Sequence, residues 1–353
     1  LNGESVTLPA APQEILYNKQ SYLMVPVEYV TRKLGFYYEY DNAGHSASLY
    51  TKKPEKEQNK EDLPNEIHIL KGTNTLPAVT QMDDYLNRQL VLTVPGNQVG
   101  YYISNPPEIS DDQRARCEVA LNEEGDTEIR IKTNIIRGFI VTETEKDFVI
   151  TVKAPKDIYS KIVFLDAGHG GTAKGASGIN YGNSLIEKDL TLSIVQKMKA
   201  AGSKNKDIKL YYSRLDDSTV SNSERAAMAN EIGADALISI HINANTDTSV
   251  KGSLIMYSSK YDQTGDSSLS SSNMARFLKP YLTGAVGSDD RAIIRDNIEV
   301  LNGARMPAVL MEVAFLSNEE DAAVLKDDGR LTRIAEGICE GIKDLLVKYP
   351  PVR

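Results

Sequence analysis

Hydrophobic and polar positions follow two different rhythms along this chain. Beyond residue 160, short unbroken apolar runs alternate with segments of helical period. The runs around Ile162–Leu165, Ala236–Ile240 and Ala308–Met311 carry no polar partner at every second position, as strands buried on both faces do. Further strands are predicted at "KLYYSR" and "GSLIMYS". Helices are predicted at "EKDLTLSIVQKMKAAG", where Leu190, Ile194 and Met198 share a face, at "SNSERAAMANEIG" and at "NMARFLKPYL". The closing segment places Leu331, Ile334, Ala335, Ile338, Ile342, Leu345 and Leu346 at helical spacing. Strand–helix alternation predicts an α/β domain over residues 158–350, a mostly parallel sheet flanked by helices.

The first half reads instead as smaller β-rich and α+β domains. "ILYNKQSYLMVP" and "FYYEYDNAGHSASLY" have the form of hairpins, and "VEYVTRKLG" that of a short helix ended by Gly35. These make an α+β module over residues 1–54. Residues 55–65 are a charged, proline-bearing linker. From 66 to 157 the pattern is β: "QLVLTVPG", "TEIRIKT" and "DFVITVKAP" alternate as half-buried strands do.

Composition adds exclusions. The length of 353 residues fits two or three domains, and 41% hydrophobic with 25% charged residues is ordinary for a soluble globular chain. No apolar run is long enough for a membrane span. Net charge is −9, and residues 1–157 hold 17 basic against 24 acidic side chains. Neither half is basic, which argues against nucleic acid as a partner. Cys117 and Cys339 fall in different predicted domains and read as buried thiols. The chain is expected to start after a removed leader.

Chemistry concentrates at strand ends, where open α/β sheets bind ligands. His169 follows "IVFL", His241 follows "ALISI", and Glu312 follows "PAVLM". Glu187 opens the helix after the first of these strands. Two histidines and a carboxylate with one open position suit hydrolytic zinc, which acidifies water and polarises a carbonyl. A second carboxylate must then carry the proton. Spacing alone does not say which glutamate binds metal. Gly168, Gly170 and Gly171 allow a sharp turn beside a ligand. Plainer readings compete. Ser184-x-x-Glu187 fits a helix capping box. His241 fits a core histidine, and Glu312 a partner of Arg225. Gly168-x-Gly170-x-x-Ala173 matches a dinucleotide fingerprint, but the chain runs on as loop where that motif needs a helix.

The blocks "LDAGHGG", "GASG", "EKDLTL", "SRLDD", "ERAAMAN", "DALISIHINA" and "MPAVLMEVAFLSN", with the closing helix, follow the order seen in zinc-dependent N-acetylmuramoyl-L-alanine amidases of the amidase-3 type. The chain resembles that family over roughly residues 160–348. The resemblance implies a peptidoglycan hydrolase that cuts between N-acetylmuramic acid and L-alanine. It assigns His169, Glu187 and His241 to Zn2+ and Glu312 to catalysis. Ala167, Ala292 and Ala314 depart from the family's usual proline and glycines. Residues 1–54 resemble a copper amine oxidase N-terminal-like module, with no copper implied. Residues 66–157 resemble AMIN-type β domains. Together these imply a wall-associated or extracellular monomer attached to wall polymer through its N-terminal region. A zinc peptidase acting within the stem peptide, and a catalytically silent wall-binding protein, are the alternatives.

Overall fold

The computed structural model describes the backbone of residues 13–17, 20–24, 37–41 and 46–50. It describes backbone and side chains of residues 66–71, 79–109, 115–178, 185–258, 260, 268–288 and 290–351, with Asp290 by backbone alone. The chain divides into two compact units, Leu1–Pro64 and Asn65–Arg353. In the first, β1 (Gln13–Tyr17) pairs antiparallel with β2 (Gln20–Met24), and β3 (Tyr37–Asp41) with β4 (Ser46–Tyr50). Both expected hairpins are present. The helix expected near residue 30 and the linker over 55–65 lie outside the described residues.

The second unit begins with two four-stranded antiparallel sheets. Their elements in chain order are β5 (Glu66–Leu70), β6 (Thr80–Asp84), β7 (Gln89–Val94), the helical turn α1 (Val99–Ser104), β8 (Glu108–Ile109), β9 (Ala115–Leu121), β10 (Thr127–Thr133), β11 (Gly138–Glu143) and β12 (Asp147–Lys153). The strand orders are β6-β7-β10-β9 and β11-β12-β5-β8. Strict alternation along β10 buries Ile129 and Ile131. Along β12 it buries Phe148, Ile150 and Val152, and the inward rows of the two sheets share one core with Ile67, Ile69 and Leu92. This is a β-sandwich, as period-two patterning dictates.

The rest of the unit is the expected α/β layer. Its elements are β13 (Ile162–Ala167), α2 (Glu187–Gly202), β14 (Lys209–Tyr212), α3 (Asn222–Glu231), β15 (Ala236–Asn243), β16 (Ser253–Tyr257), α4 (Ser271–Val286), β17 (Asp290–Arg295), α5 (Glu299–Gly303), β18 (Ala308–Phe315), α6 (Glu319–Lys326) and α7 (Asp328–Lys348). The sheet order is β14-β13-β15-β18-β16-β17. The first four strands are parallel; β16 runs antiparallel to β18, and β17 follows β16. Residues 162–167 are buried throughout because helices cover both faces. Leu190, Ile194 and Met198 of α2, Leu278 and Leu282 of α4, and Ile334, Ile338 and Leu345 of α7 supply the apolar stripes of that cover. Helix starts are capped locally: Ser221 and Glu224 form a reciprocal capping box on α3, and Asp327 caps α7. Cys117 and Cys339 are free thiols, half-buried rather than buried as expected; loss of solvent around them pushes the thiols up to about 11 and about 12. No helix among the described residues is long and apolar enough to cross a membrane.

The chain leaves β13 for β14 on one side and returns to β15 on the other. At such a reversal, here between the carboxyl ends of β13 and β15, open α/β sheets place their ligands. Phe164, fully buried in β13, is central to the frame behind it. Phe164→Ala should cost about 3–5 kcal/mol, seen as a lower urea midpoint with an unchanged m-value.

Candidate metal and catalytic site

His169 lies two residues past β13, in a loop that only unusual backbone can make. Its own φ is +58°, a left-handed conformation that is uncommon for any residue with a Cβ. Room for the ring is made by glycine. A Cβ on Gly168 would sit 2.5 Å from the His241 ring, and one on Gly175 would sit 2.3 Å from Glu187 Oε2 and 2.6 Å from the His169 ring. His241 is on β15, directly across the parallel ladder from Glu312 on β18. The four residues singled out by sequence therefore sit at one end of one sheet.

Glu187 is the first residue of α2, and its carboxylate ties the group together. Oε1 lies 2.9 Å from His241 Nδ1 and accepts from the Ile242 N–H at 3.0 Å. Oε2 lies 3.1 Å from His169 Nε2 and accepts from the Ala176 N–H at 2.6 Å. These contacts leave no capping role for the side chain; the residue before the helix is Ile186, with no side-chain cap. Donor atoms of His169, Glu187 and His241 all lie within 4.8 Å of one another, and they are the one such group among the described residues. Burial pushes the Glu187 carboxyl up, but the two histidines and the Ala176 N–H outweigh it and hold it far below the carboxylate range. Burial likewise opposes charge on His241, yet the bond to Glu187 leaves its pKa raised. The two shifts are two sides of one interaction, the carboxylate held against the imidazoles.

Glu312 is different. Its Oε2 is buried and has no hydrogen-bond partner among the described residues. Burial foremost pushes its carboxyl up to about 7, with His241 lowering and Glu187 raising it. Arg225, the suggested partner, is engaged elsewhere. The side chain as a whole is half-buried, and a buried carboxylate oxygen without a partner is costly and points to a group available for chemistry. Two imidazoles, one carboxylate and an orphaned acid fit a three-ligand zinc site with an open position.

Behind the site lies machinery that sequence reading missed. Asp166, Arg214 and Arg225 are 0%, 1% and 2% exposed. The Arg225 guanidinium pairs with Asp166, and also donates to the carbonyls of Ala167 and His169, each at 2.5 Å, and Val220 at 3.0 Å. Asp166 takes a further bond from Ser239 Oγ at 2.6 Å. Arg214 donates to the carbonyls of Ala167 at 3.0 Å and of Gly168, Lys188 and Asp216 at 2.8 Å. Thr191 Oγ1 adds a second bond to the Gly168 carbonyl at 2.8 Å. Three successive carbonyls of the loop are thus held by two buried cations. The available signal was Asp166 itself, a charge at the end of a strand otherwise apolar throughout.

Burial pushes the Asp166 carboxyl up, but Arg225 and the Ser213 and Ser239 hydroxyls outweigh it and leave it below its ordinary 3.8. The pair's contribution is therefore complete above pH 3.8 and declines as pH falls through the lower folded value. Asp166→Asn strands the Arg225 charge and should cost about 3–5 kcal/mol at pH 7. Urea titrations from pH 7 to 2 should show the variant losing less further stability below pH 4 than the parent.

Residues 163–344 match the family model described as N-acetylmuramoyl-L-alanine amidase. The endolysin of Bacillus phage SPP1 is 35% identical over 190 residues, 53% of this chain and 66% of that protein. N-acetylmuramoyl-L-alanine amidase LytC of Bacillus subtilis (strain 168) is 31% identical over 184 residues, 52% of this chain and 35% of that protein. The chain thus spans less than two thirds of each. The crystal structure of N-acetylmuramoyl-L-alanine amidase from Clostridium difficile 630 shares 34% identity, covering 53% of this chain and 97% of that chain, with a TM-score of 0.49. With more than half of its length matched, and the matched span coinciding with the α/β layer that carries the site, this chain belongs to the N-acetylmuramoyl-L-alanine amidase family.

Proposed function

We propose that the chain is a zinc-dependent peptidoglycan hydrolase that cuts the amide between N-acetylmuramic acid and the L-alanine of the stem peptide. What carries the reading is one observation: the orphaned Glu312 carboxyl stands beside the converging donors of His169, Glu187 and His241. Those three residues hold the metal. When bound, zinc acidifies water and polarises the amide carbonyl. The oxygens of Glu187 lie 2.9 and 3.1 Å from the two imidazoles, so the three donors already converge, and a bound metal would take the place of these contacts. Glu312 accepts a proton from the attacking water and delivers it to the departing nitrogen of L-alanine. A C–O bond forms at the lactyl carbon, the C–N bond breaks, and the products are a lactyl acid and a free amine. The raised pKa of Glu312 suits a group that must both take and give a proton near neutrality.

The same reading takes residues 158–350 as the catalytic domain. Residues 1–54 and 66–157 become modules that attach to wall polymer, in a monomer working outside the cell or on its wall. The wall location is supported by a Staphylococcus aureus relative named probable cell wall amidase LytH.

Mass spectrometry of purified peptidoglycan digested with the protein tests the reaction. Zinc-dependent appearance of free L-alanine amino termini, with the sugar left intact, is the expected result. Fragments cut inside the stem would make the protein a zinc peptidase, and wall binding without cleavage would make it a silent binder. Glu312→Ala should keep stoichiometric zinc while turnover falls about 10²–10⁴-fold. His241→Ala should lose the metal by elemental analysis.

A further inference from the structure

Among the described residues, two contacts between the β-sandwich and the catalytic layer each lead to one of the buried arginines. The first is Tyr85, at the turn between β6 and β7. Its hydroxyl accepts from the Tyr212 N–H at 2.9 Å and donates to the Tyr212 carbonyl at 3.3 Å. Tyr212 ends β14, the edge of the catalytic sheet, where alternate backbone groups have no neighbouring strand. One hydroxyl thus does for Tyr212 what a further strand would do. The Tyr85 ring packs edge-on against Tyr211, with centroids 4.8 Å apart, and beside it Asp83 Oδ2 pairs with Lys209 at 3.0 Å. The next two residues along are Ser213, whose Oγ accepts from the Ala167 N–H at 3.1 Å, and Arg214, which holds the Ala167 and Gly168 carbonyls.

The second contact is at the carboxyl end of α3. Glu231 Oε2 accepts from the Ile136 N–H at 3.3 Å and lies 3.7 Å from Arg88. Ile136 is buried in the catalytic core together with Tyr85, although both belong to the sandwich by sequence. The helix that ends at Glu231 carries Arg225, which holds Asp166 and the His169 carbonyl.

We propose that the sandwich is a positioning element of the catalytic site. Tyr85 sets the end of β14, and through it Arg214; the Glu231–Ile136 contact sets α3, and through it Arg225. Together they fix the backbone of residues 167–169. Tyr85 is a positioning residue: it touches no reacting atom, and it acts on the loop that presents His169. The inference rests on the zinc reading only for what that loop holds.

The test uses the full chain. Tyr85→Phe keeps the ring and removes the hydroxyl. Ile69→Val trims the sandwich core away from the junction, as a control for simple loss of stability. Hydrogen exchange in metal-free protein is read at the bonded amides of Gly168, Gly170 and Gly171. Zinc dissociation constants are read by competition with a chelating dye. Tyr85→Phe should open those three amides about fivefold, the worth of one ordinary hydrogen bond, and weaken zinc by a similar factor, while Ile69→Val moves neither. Glu231→Ala should act in the same direction. Lower melting temperatures with loop exchange unchanged from the parent would overturn the proposal. If the parent binds no zinc, the metal reading fails, while the exchange comparison still decides the coupling.

Discussion

The buried Arg225–Asp166 pair is the interaction on which this site depends. Neither charge has access to water, so each is tolerable only because the other is present and the remaining polar atoms are bonded. That requirement fixes geometry. The guanidinium must reach the end of β13 from α3, and its remaining donors must find acceptors there. They find the carbonyls of Ala167 and His169, which holds His169 in left-handed backbone. A pair that is expensive to bury thereby specifies one loop conformation.

From this frame outward, each part of the site constrains the next. Glu187 bonds to backbone on either side of the crevice, at Ala176 and at Ile242, and to both histidines. No lone pair facing these groups is wasted, and the carboxylate cannot rotate without breaking several bonds at once. Glu312 stands outside this web. The contrast between a fully engaged carboxylate and an unengaged oxygen supports the proposed division between a holding and a reacting role.

Much of this was legible in the chain. The apolar run 162–165 could only be a doubly covered strand, and helical spacing in 331–346 could only be a stripe on a helix. The position of His169 past β13 followed from those elements, whereas His241 and Glu312 fall inside β15 and β18, which run on to Asn243 and Phe315. Glu187 carried two meanings at the sequence level, because a helix's first turn welcomes a carboxylate for its dipole as well as for a ligand. Only the direction of the side chain separates the two. Arg214 and Arg225 were invisible as site residues for a related reason. Arginine in a polar-looking segment reads as surface, and nothing local says that tertiary packing will bury it. β17 and α5 were missed because "DRAIIR" and "EVLNG" are short and carry weak periodicity. The reversed direction of β16 has no sequence signature at all.

That reversal also decides which loops share this end of the sheet. Ligand-bearing segments leave the sheet from the ends of β13 and β15, but β16 and β17 enter it at the same end, so their amino-terminal approaches meet Glu312 from the other direction. Arg291 reaches the Phe315 ring from there, and Ser253 Oγ bonds the Val313 carbonyl. The single connection from β15 to β16, residues 244–252, carries the chain from the strand of His241 round to the strand that faces Glu312. A change in the length of this one short stretch is therefore felt on both sides of the candidate site.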